Sequence, residues 1–188
     1  MQVIDTPIAG LKVIEPRVFG DERGYFMETW NHRKLSDFGI EADFVQDNES
    51  QSSQGTLRGI HFQKDHPQDK LVRVLQGEVY DVAVDLRLDS PTYGQAFGEI
   101  LSAANKRQLW IPKGFGHAYY TISETAIFVY KCTEYYFPDD QFSLDWSDPA
   151  LNIQWPLVAD CEVLLSKNDK EGKSLQEITI LLKGDAQL

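Results

Sequence analysis

The segment at residues 56–63 (TLRGIHFQ) places three chemically useful residues inside a strand-like stretch. His61 can accept a proton near neutral pH, whereas Arg58 keeps its charge and can bind a phosphate or carboxylate through two hydrogen bonds. Gly59 lies between them and permits a bulge or a close backbone approach, which lets both side chains face one cavity. The alternative is a hydrogen-bonded core histidine beside a surface arginine.

A second histidine follows a turn at residues 111–121 (IPKGFGHAYYT). The spacing P-x-G-x-x-H, which ends at His117, resembles the second motif of the cupin superfamily of small double-stranded β-helix barrels. Metal-binding cupins carry H-x-H and a glutamate in an earlier motif, because several convergent ligands are needed to hold a divalent ion. Here that position reads His61-Phe62-Gln63, and an amide is a poor replacement ligand. The pair of motifs predicts a cupin barrel and argues against a metal site.

An aromatic segment at residues 126–137 (AIFVYKCTEYYF) supplies candidate phenols. If it forms one strand, then Phe128, Tyr130, Cys132, Glu134 and Tyr136 share a face. One of the two tyrosines could donate a proton into a cavity. The alternative is that both pack in the sheet with their hydroxyl groups at its rim.

One carboxylate, Asp169, lies in the polar stretch at residues 164–173 (LLSKNDKEGK). Taken alone, it is a solvated loop residue. Only a bond to an imidazole would give it a role, because such a bond fixes the tautomer and leaves the other ring nitrogen as the base.

The elements around these residues read mainly as strands. In EVYDVAVDLR, residues 78–87, apolar and polar side chains alternate, which predicts a half-buried strand with Asp81 and Asp85 on the polar face. Further strands are predicted at residues 18–30, 43–50, 71–75, 96–102, 107–112, 117–122 and 126–137, and a tight turn at Gln76-Gly77. Short helices are predicted after Asn31, with Gly39 as the stop, and at residues 174–182. The fold class is therefore all-β, an antiparallel barrel or sandwich with short peripheral helices, in one domain over residues 1–188.

The amino-acid composition of the chain argues against nucleic acid and membrane as partners. A net charge of −11 in 188 residues would repel phosphate backbones, so nucleic acid is not an expected partner, although two or three local arginines can hold a single small anion. Apolar runs are too short for a membrane helix, and only two cysteines are present. We therefore expect a reduced, soluble protein in the cytoplasm.

Together the motifs resemble one family, the cupin-fold dTDP-4-dehydrorhamnose 3,5-epimerases of dTDP-L-rhamnose biosynthesis. The resemblance covers nearly the whole chain. It is carried by EPRVFGDERGYFMETW, FVQDNES, LRGIHFQ, DKLVRVLQGEVYDVAVDLR, SPTYGQ, KRQLWIPKGFGHAYY, YKCTEYY, and QWPL followed by LSKND.

The resemblance implies roles for individual residues. His61 matches the catalytic base, Asp169 its carboxylate partner, Tyr130 the acid on the opposite side of the sugar, and Lys70 the lysine near the C4 carbonyl. The residues that match substrate-binding positions are Arg23, Phe26, Glu28, Gln46, Asn48, Arg58, His117 and Tyr136. Tyr119 stands where the family more often has phenylalanine, which adds a hydroxyl near the pocket.

The resemblance also implies a homodimer in which N-terminal strands are exchanged, a dTDP-4-keto-6-deoxy sugar as substrate, and inversion at C3 and C5. That chemistry requires no cofactor, because a hydrogen next to a ketone is acidic enough for a positioned base and acid. Competing hypotheses are an epimerase acting at C3 only, a ketoisomerase of the same fold, a metal-dependent cupin oxygenase, and a non-catalytic carbohydrate-binding barrel.

Overall fold

A computed structural model describes residues 1–184 of the chain, and β-strands dominate it. The strands are β1 (Gln2–Asp5), β2 (Lys12–Glu15), β3 (Val18–Asp21), β4 (Gly24–Met27), β5 (Gln46–Ser53), β6 (Leu57–Gln63), β7 (Lys70–Gln76), β8 (Glu78–Asp85), β9 (Ala96–Ser102), β10 (Gln108–Ile111), β11 (Phe115–Thr121), β12 (Thr125–Cys132) and β13 (Gln141–Ser143). The α-helices are α1 (His32–Ser36), α2 (Lys167–Lys170) and α3 (Leu175–Lys183), and single 3-10 turns cover Pro138–Asp140 and Pro149–Leu151.

Within residues 1–184, eleven of the thirteen strands form two antiparallel sheets that face each other, and β3 and β4 form a separate hairpin. A six-stranded sheet has the order β1-β2-β10-β7-β12-β5, and a five-stranded sheet has the order β13-β6-β11-β8-β9. Apolar side chains from both sheets form one core between them, with Val72 and Phe128 from the first sheet and Val79, Ala83 and Tyr119 from the second. This two-sheet jelly roll with short helices at its periphery confirms the predicted all-β architecture.

Strand β8 corrects one prediction, because it is buried on both faces. The predicted apolar face is confirmed: Val82, Val84 and Leu86 pack in a second cluster outside the five-stranded sheet. The prediction that the polar face meets solvent is wrong, since Asp81 and Asp85 are both fully buried. Burial would raise the pKa of Asp85, but hydrogen bonds from Arg87, Ser90 and Thr92 outweigh it and lower that pKa to about 2.

Two helices cover the outer faces of the sheets. Asn31 caps α1 by accepting a hydrogen bond from the Lys34 amide, and Leu35 of this helix is buried against the six-stranded sheet. At the other end of the chain, Ser174 caps α3 in a capping box, and Ile178 is buried against the five-stranded sheet. Both predicted helices are confirmed; α1 ends at Ser36, and Gly39 follows it with a positive φ of 76°.

The aromatic segment does not continue as one strand. Strand β12 ends at Cys132, so the prediction of a single strand through residue 137 is wrong. Beyond Cys132 the backbone leaves the sheet, and glutamine side chains replace neighbouring strands as its partners: Gln63 and Gln68 both bind the Tyr135 carbonyl. The alternation that would place Glu134 and Tyr136 on the face of Tyr130 therefore does not apply.

A bulge beside Gly59 confirms the predicted exception to strand alternation. Strands β6 and β11 shift register between His117 and Tyr119, and Gly59 has a φ of 114°. Arg58 and His61 are three positions apart, so regular pleating would send them to opposite faces, yet both line the same cavity. The bulge is what brings them together.

We expect Gly59→Ala to destabilise the protein by roughly 3 kcal/mol, because a methyl group there would overlap the His117 carbonyl and lie 2.7 Å from the Ala118 Cα. The free energy of urea unfolding measures the effect. Gly39→Ala is the matched control, since Gly39 also has a positive φ, 76°, but no heavy atom beyond its chain neighbours within 4 Å of the added carbon. The control carries backbone strain alone, about 1 kcal/mol. Equal losses in the two variants would contradict the close approach at Gly59.

Candidate active site

A cavity of about 590 Å³ opens between the two sheets and gathers most of the predicted site residues. Its walls come from β5, β6, β7, β11 and β12, together with residues 164–166 and 169. The predicted residues that line it are Gln46, Asn48, Arg58, His61, Lys70, His117, Tyr130, Tyr136 and Asp169.

An imidazole–carboxylate pair lies at the wall formed by β6. The His61 Nε2 is 2.6 Å from Asp169 Oδ1, and Asp169 is only 3% exposed. Ser166 donates its hydroxyl to the other carboxylate oxygen at 2.6 Å, and the Gly59 amide also donates to Oδ1. Burial alone would raise the pKa of Asp169, but the bonds from His61, Ser166 and Gly59 outweigh it and leave that pKa below its usual value. The alternative of a solvated loop residue does not hold for Asp169, which is buried and lies against His61, the partner that the resemblance implied.

This geometry fixes the tautomer of His61. An ionised carboxylate can only accept hydrogen bonds, so the Nε2 of His61 must carry the proton that faces Asp169. The Nδ1 atom is then the unprotonated ring nitrogen, and the carboxylate stabilises the imidazolium that forms when Nδ1 takes up a proton. A pair with this geometry can act as a general base.

Tyr130 and Lys70 belong to the facing six-stranded sheet. Burial raises the pKa of Tyr130 to about 12, so its phenol stays protonated at neutral pH and can act as a proton donor. The Lys70 ammonium lies 6.0 Å from the centre of the Tyr130 ring. Desolvation lowers the pKa of Lys70 from its ordinary value, and Cys132 and Asp81 offset this only in part. The Lys70 amino group and a proton-donating phenol therefore share the wall opposite His61.

A second histidine–carboxylate pair lies deeper in the cavity. His117 Nε2 is 2.9 Å from Asp81 Oδ2, and both residues are buried. Sequence reasoning missed Asp81 as a site residue, because strand alternation assigned it to a solvent-facing surface. Asp81 reaches His117 because β8 pairs with β11, a pairing that alternation within residues 78–87 does not reveal.

Polar residues line the mouth of the cavity. Arg58 is exposed there and donates from Nε to the Ser52 hydroxyl at 3.1 Å. Gln46 donates to Asn48 Oδ1 at 2.9 Å and accepts from the Tyr136 amide at 3.0 Å. The mouth thus offers an arginine, two carboxamides and a phenol ring to an elongated polar ligand.

Two further hydroxyl-bearing residues contribute to the lining. The Tyr119 hydroxyl, expected near the pocket, is within hydrogen-bond distance of Ser50 and Ser52. Ser166, which fixes Asp169, was missed, although the spacing S-x-x-D at residues 166–169 is a helix-capping signal.

Three predicted residues lie away from this cavity in the single chain. Arg23 is in the turn between β3 and β4 and is paired with Asp21. Phe26 and Glu28 line a separate cavity of about 430 Å³ beside α1. The hairpin of β3 and β4 pairs only with itself. The expected contact of these residues with the substrate is therefore not made within one chain.

Gln63 also lies outside the cavity lining. Its carboxamide is bonded to backbone groups of residues 66, 135 and 137 rather than turned toward His61. Within residues 1–184, no three His, Cys, Asp or Glu side chains come together as metal ligands would.

A base held by a carboxylate, with a protonated phenol on the facing wall, suits proton transfer at carbon, and the scaffold is a cupin-type jelly roll. The fold and the cavity define a cupin-fold epimerase. Comparison with known proteins agrees, because residues 5–177 match the family model described as dTDP-4-dehydrorhamnose 3,5-epimerase. The chain belongs to this family and is an isomerase.

Individual relatives are similar over nearly their full length. The dTDP-4-dehydrorhamnose 3,5-epimerase of Methanothermobacter thermautotrophicus is 48% identical, over 95% of this chain and 97% of that protein. The crystal structure of an epimerase from Legionella pneumophila in complex with dTDP-4-keto-L-rhamnose has a TM-score of 0.90 and 52% identity, and the match covers 93% of each chain. A 3'-monoepimerase from Streptomyces bikiniensis, in complex with dTDP-quinovose, has a TM-score of 0.85 and 31% identity, over 92% of this chain and 87% of that one.

Proposed function

We propose that the chain carries out the reaction for which its family is named, by proton transfer next to a ketone. The substrate is dTDP-4-dehydro-6-deoxy-D-glucose, and inversion at C3 and C5 gives dTDP-4-dehydro-L-rhamnose, in dTDP-L-rhamnose biosynthesis. A hydrogen beside the C4 ketone is acidic because the resulting anion delocalises onto oxygen. The reaction then needs a base, an acid on the other face and a positive group or hydrogen-bond donor at the enolate oxygen, and no cofactor.

The family resemblance and the positions of the residues support the proposed roles. His61 takes the proton at Nδ1 while Asp169 holds Nε2, and Tyr130 delivers a proton to the other face of the sugar. Lys70 stabilises the enolate oxygen as a hydrogen-bond donor. The single observation that supports this most strongly is that the His61–Asp169 pair and Tyr130 line one cavity from two facing sheets.

The nucleotide end of the substrate occupies the mouth. Arg58 binds the diphosphate, since a guanidinium matches phosphate oxygens with paired hydrogen bonds. Gln46 and Asn48 supply hydrogen bonds, Tyr136 contacts the base or its neighbourhood, and His117 donates to the sugar end.

We expect the dTDP-4-keto sugar, incubated with the protein in D2O, to acquire deuterium at both C3 and C5 and to emerge with the L configuration. Proton NMR of the product measures both. The nearest alternative is inversion at C3 only, which similarity to a monoepimerase keeps open. A product that retains the D configuration at C5 would establish that alternative and remove the two-centre proposal.

A homodimer with exchanged hairpins completes the site. The hairpin of β3 and β4 exposes Phe19 at 51%, Tyr25 at 59% and Phe26 at 70%, an unusual density of exposed rings for a free surface. Arg23, Phe26 and Glu28 match nucleotide-binding positions but lie off the cavity of their own chain. Exchange would bring these residues of one chain to the cavity of the other.

Mixing two inactive variants tests the exchange. We expect His61→Ala and Arg23→Ala chains, refolded together, to recover roughly a quarter of wild-type turnover. Half of the dimers are mixed, and each mixed dimer has one cavity whose base and arginine, drawn from different chains, are both intact. Turnover no higher than the mean of the two separate variants would instead assign each site to a single chain.

The cytoplasm is the proposed location, because the substrate is a nucleotide sugar and both cysteines are free thiols. No helix within residues 1–184 combines the length and apolar character needed to cross a bilayer.

A further inference from the structure

The buried carboxamide of Gln63 forms hydrogen bonds with the backbone of residues 134–137, a segment at the mouth of the cavity. Its partners in this segment lie on either side of Tyr136. Gln63 is 8% exposed and lies at the end of β6, two positions after His61. Its Nε2 donates to the carbonyls of His66 at 2.7 Å and Tyr135 at 3.1 Å, and its Oε1 accepts from the Phe137 amide at 2.7 Å.

These bonds enclose Tyr136. The Tyr135 carbonyl belongs to the peptide group before Tyr136, and the Phe137 amide belongs to the peptide group after it. A single side chain therefore fixes both peptide planes whose rotation sets the direction of the Tyr136 ring. Gln46 accepts a hydrogen bond from the Tyr136 amide at 3.0 Å. The peptide group between Tyr135 and Tyr136 is therefore bound at its carbonyl by Gln63 and at its amide by Gln46.

Gln68 donates to the Glu134 carbonyl at 2.8 Å and to the Tyr135 carbonyl at 3.3 Å, so among these glutamines Gln63 alone binds the peptide group after Tyr136, and no neighbouring strand within residues 1–184 supports the segment. It leaves the six-stranded sheet at Cys132, and Tyr135, Tyr136 and Phe137 are all exposed. An exposed segment without ladder hydrogen bonds samples several backbone conformations unless side chains hold it. Tyr136 nevertheless lines the cavity.

We infer that Gln63 is a positioning residue for substrate binding: it holds the Tyr136 ring at the cavity mouth so that the ring meets the nucleotide already oriented. The inference rests on the proposed nucleotide contact of Tyr136. A glutamine suits this task because one carboxamide both donates and accepts, and the two peptide groups require one of each. The binding energy gained is preorganisation, since the ring need not be ordered when the ligand arrives.

Gln63→Met tests the role, because methionine has a similar shape and neither donates nor accepts an amide-type hydrogen bond. We expect the Kd for dTDP, measured by calorimetry, to rise about tenfold, the size expected for a lost hydrogen bond of this kind. The kcat with the dTDP-4-keto sugar should stay within about threefold, since the ring does not touch the reacting carbons. Gln54→Met is the matched control: Gln54 also donates to a backbone carbonyl, that of Ile122 at 2.7 Å, but does not line the cavity.

A double-mutant cycle separates positioning from general support of the fold. In a Tyr136→Ala background, Gln63→Met should change the Kd for dTDP by less than about twofold, because no ring remains to be positioned. An equal rise in both backgrounds, or no rise in the wild-type background, overturns the inference. A Kd for dTDP in Tyr136→Ala equal to that of the wild-type protein also overturns the inference.

A second variant covers the case in which Gln63→Met does not fold. Gln63→Glu keeps the acceptor for Phe137 but loses both donors while ionised, so its affinity for dTDP should be weakened at pH 8 and partly recover at pH 5, where protonation returns one donor. Affinity equal to wild type at pH 8 overturns the inference. If the wild-type protein binds dTDP but does not epimerise the sugar, the proposed function fails while the role of Gln63 is still decided by the cycle.

Discussion

His61→Ala is expected to abolish deuterium uptake at C3 and C5 and to lower kcat by about 10²–10⁴-fold, while dTDP still binds. A positioned general base typically contributes a factor of this size. Proton NMR in D2O measures the uptake, and calorimetry with dTDP measures binding.

The partner carboxylate supplies the control. Asp169→Asn leaves an imidazole in the cavity but removes the anion that fixes Nε2–H, so uptake should fall strongly without vanishing. Deuterium uptake at the wild-type rate in His61→Ala would assign the base to another residue.

Tyr130→Phe is expected to separate proton removal from inversion. His61 can still abstract the proton and return a deuteron to the same face, so exchange continues at the first centre while inverted product falls by about 10²–10⁴-fold. The hydroxyl is the only group removed, and the ring keeps its place on β12 beside Phe128.

Comparing the two NMR signals decides this prediction. Deuterium uptake and inversion are read in the same sample, one from signal loss at C3 and the other from the chemical shifts of the sugar protons that remain. Tyr119→Phe is a suitable control, since it removes a phenolic hydroxyl that is already hydrogen-bonded to Ser50 and Ser52. Parallel loss of exchange and inversion in Tyr130→Phe would make the tyrosine part of proton removal, not of delivery.

Local sequence signals predicted what depends on a few neighbouring residues. Alternation in β8 correctly grouped Val82, Val84 and Leu86, the cap at Asn31 located α1, and the glycine at position 59 indicated the bulge that brings Arg58 and His61 together. These features are set by side-chain period, capping and φ, which a short window contains.

Features that depend on distant contacts could not be found in this way. Asp169 is buried only because α2 returns to β6, more than a hundred residues earlier in the chain. Burial of the outer face of β8 requires α3 from the far end of the chain. Beyond the end of β12 at Cys132, the backbone forms hydrogen bonds with glutamines on other segments. Alternation within residues 126–137 carries no information about those glutamines.

Several residues with different functions lie on the single strand β6, and this limits how the protein can be redesigned. One strand of seven residues bears Arg58, His61 and Gln63, and its outward side chains Ile60 and Phe62 are buried in an apolar cluster. A substitution there acts at once on several properties, so directed evolution toward other nucleosides should find few tolerated changes on β6. The edge strand β5 offers more latitude, because every second side chain faces solvent and it has a neighbour on one side only.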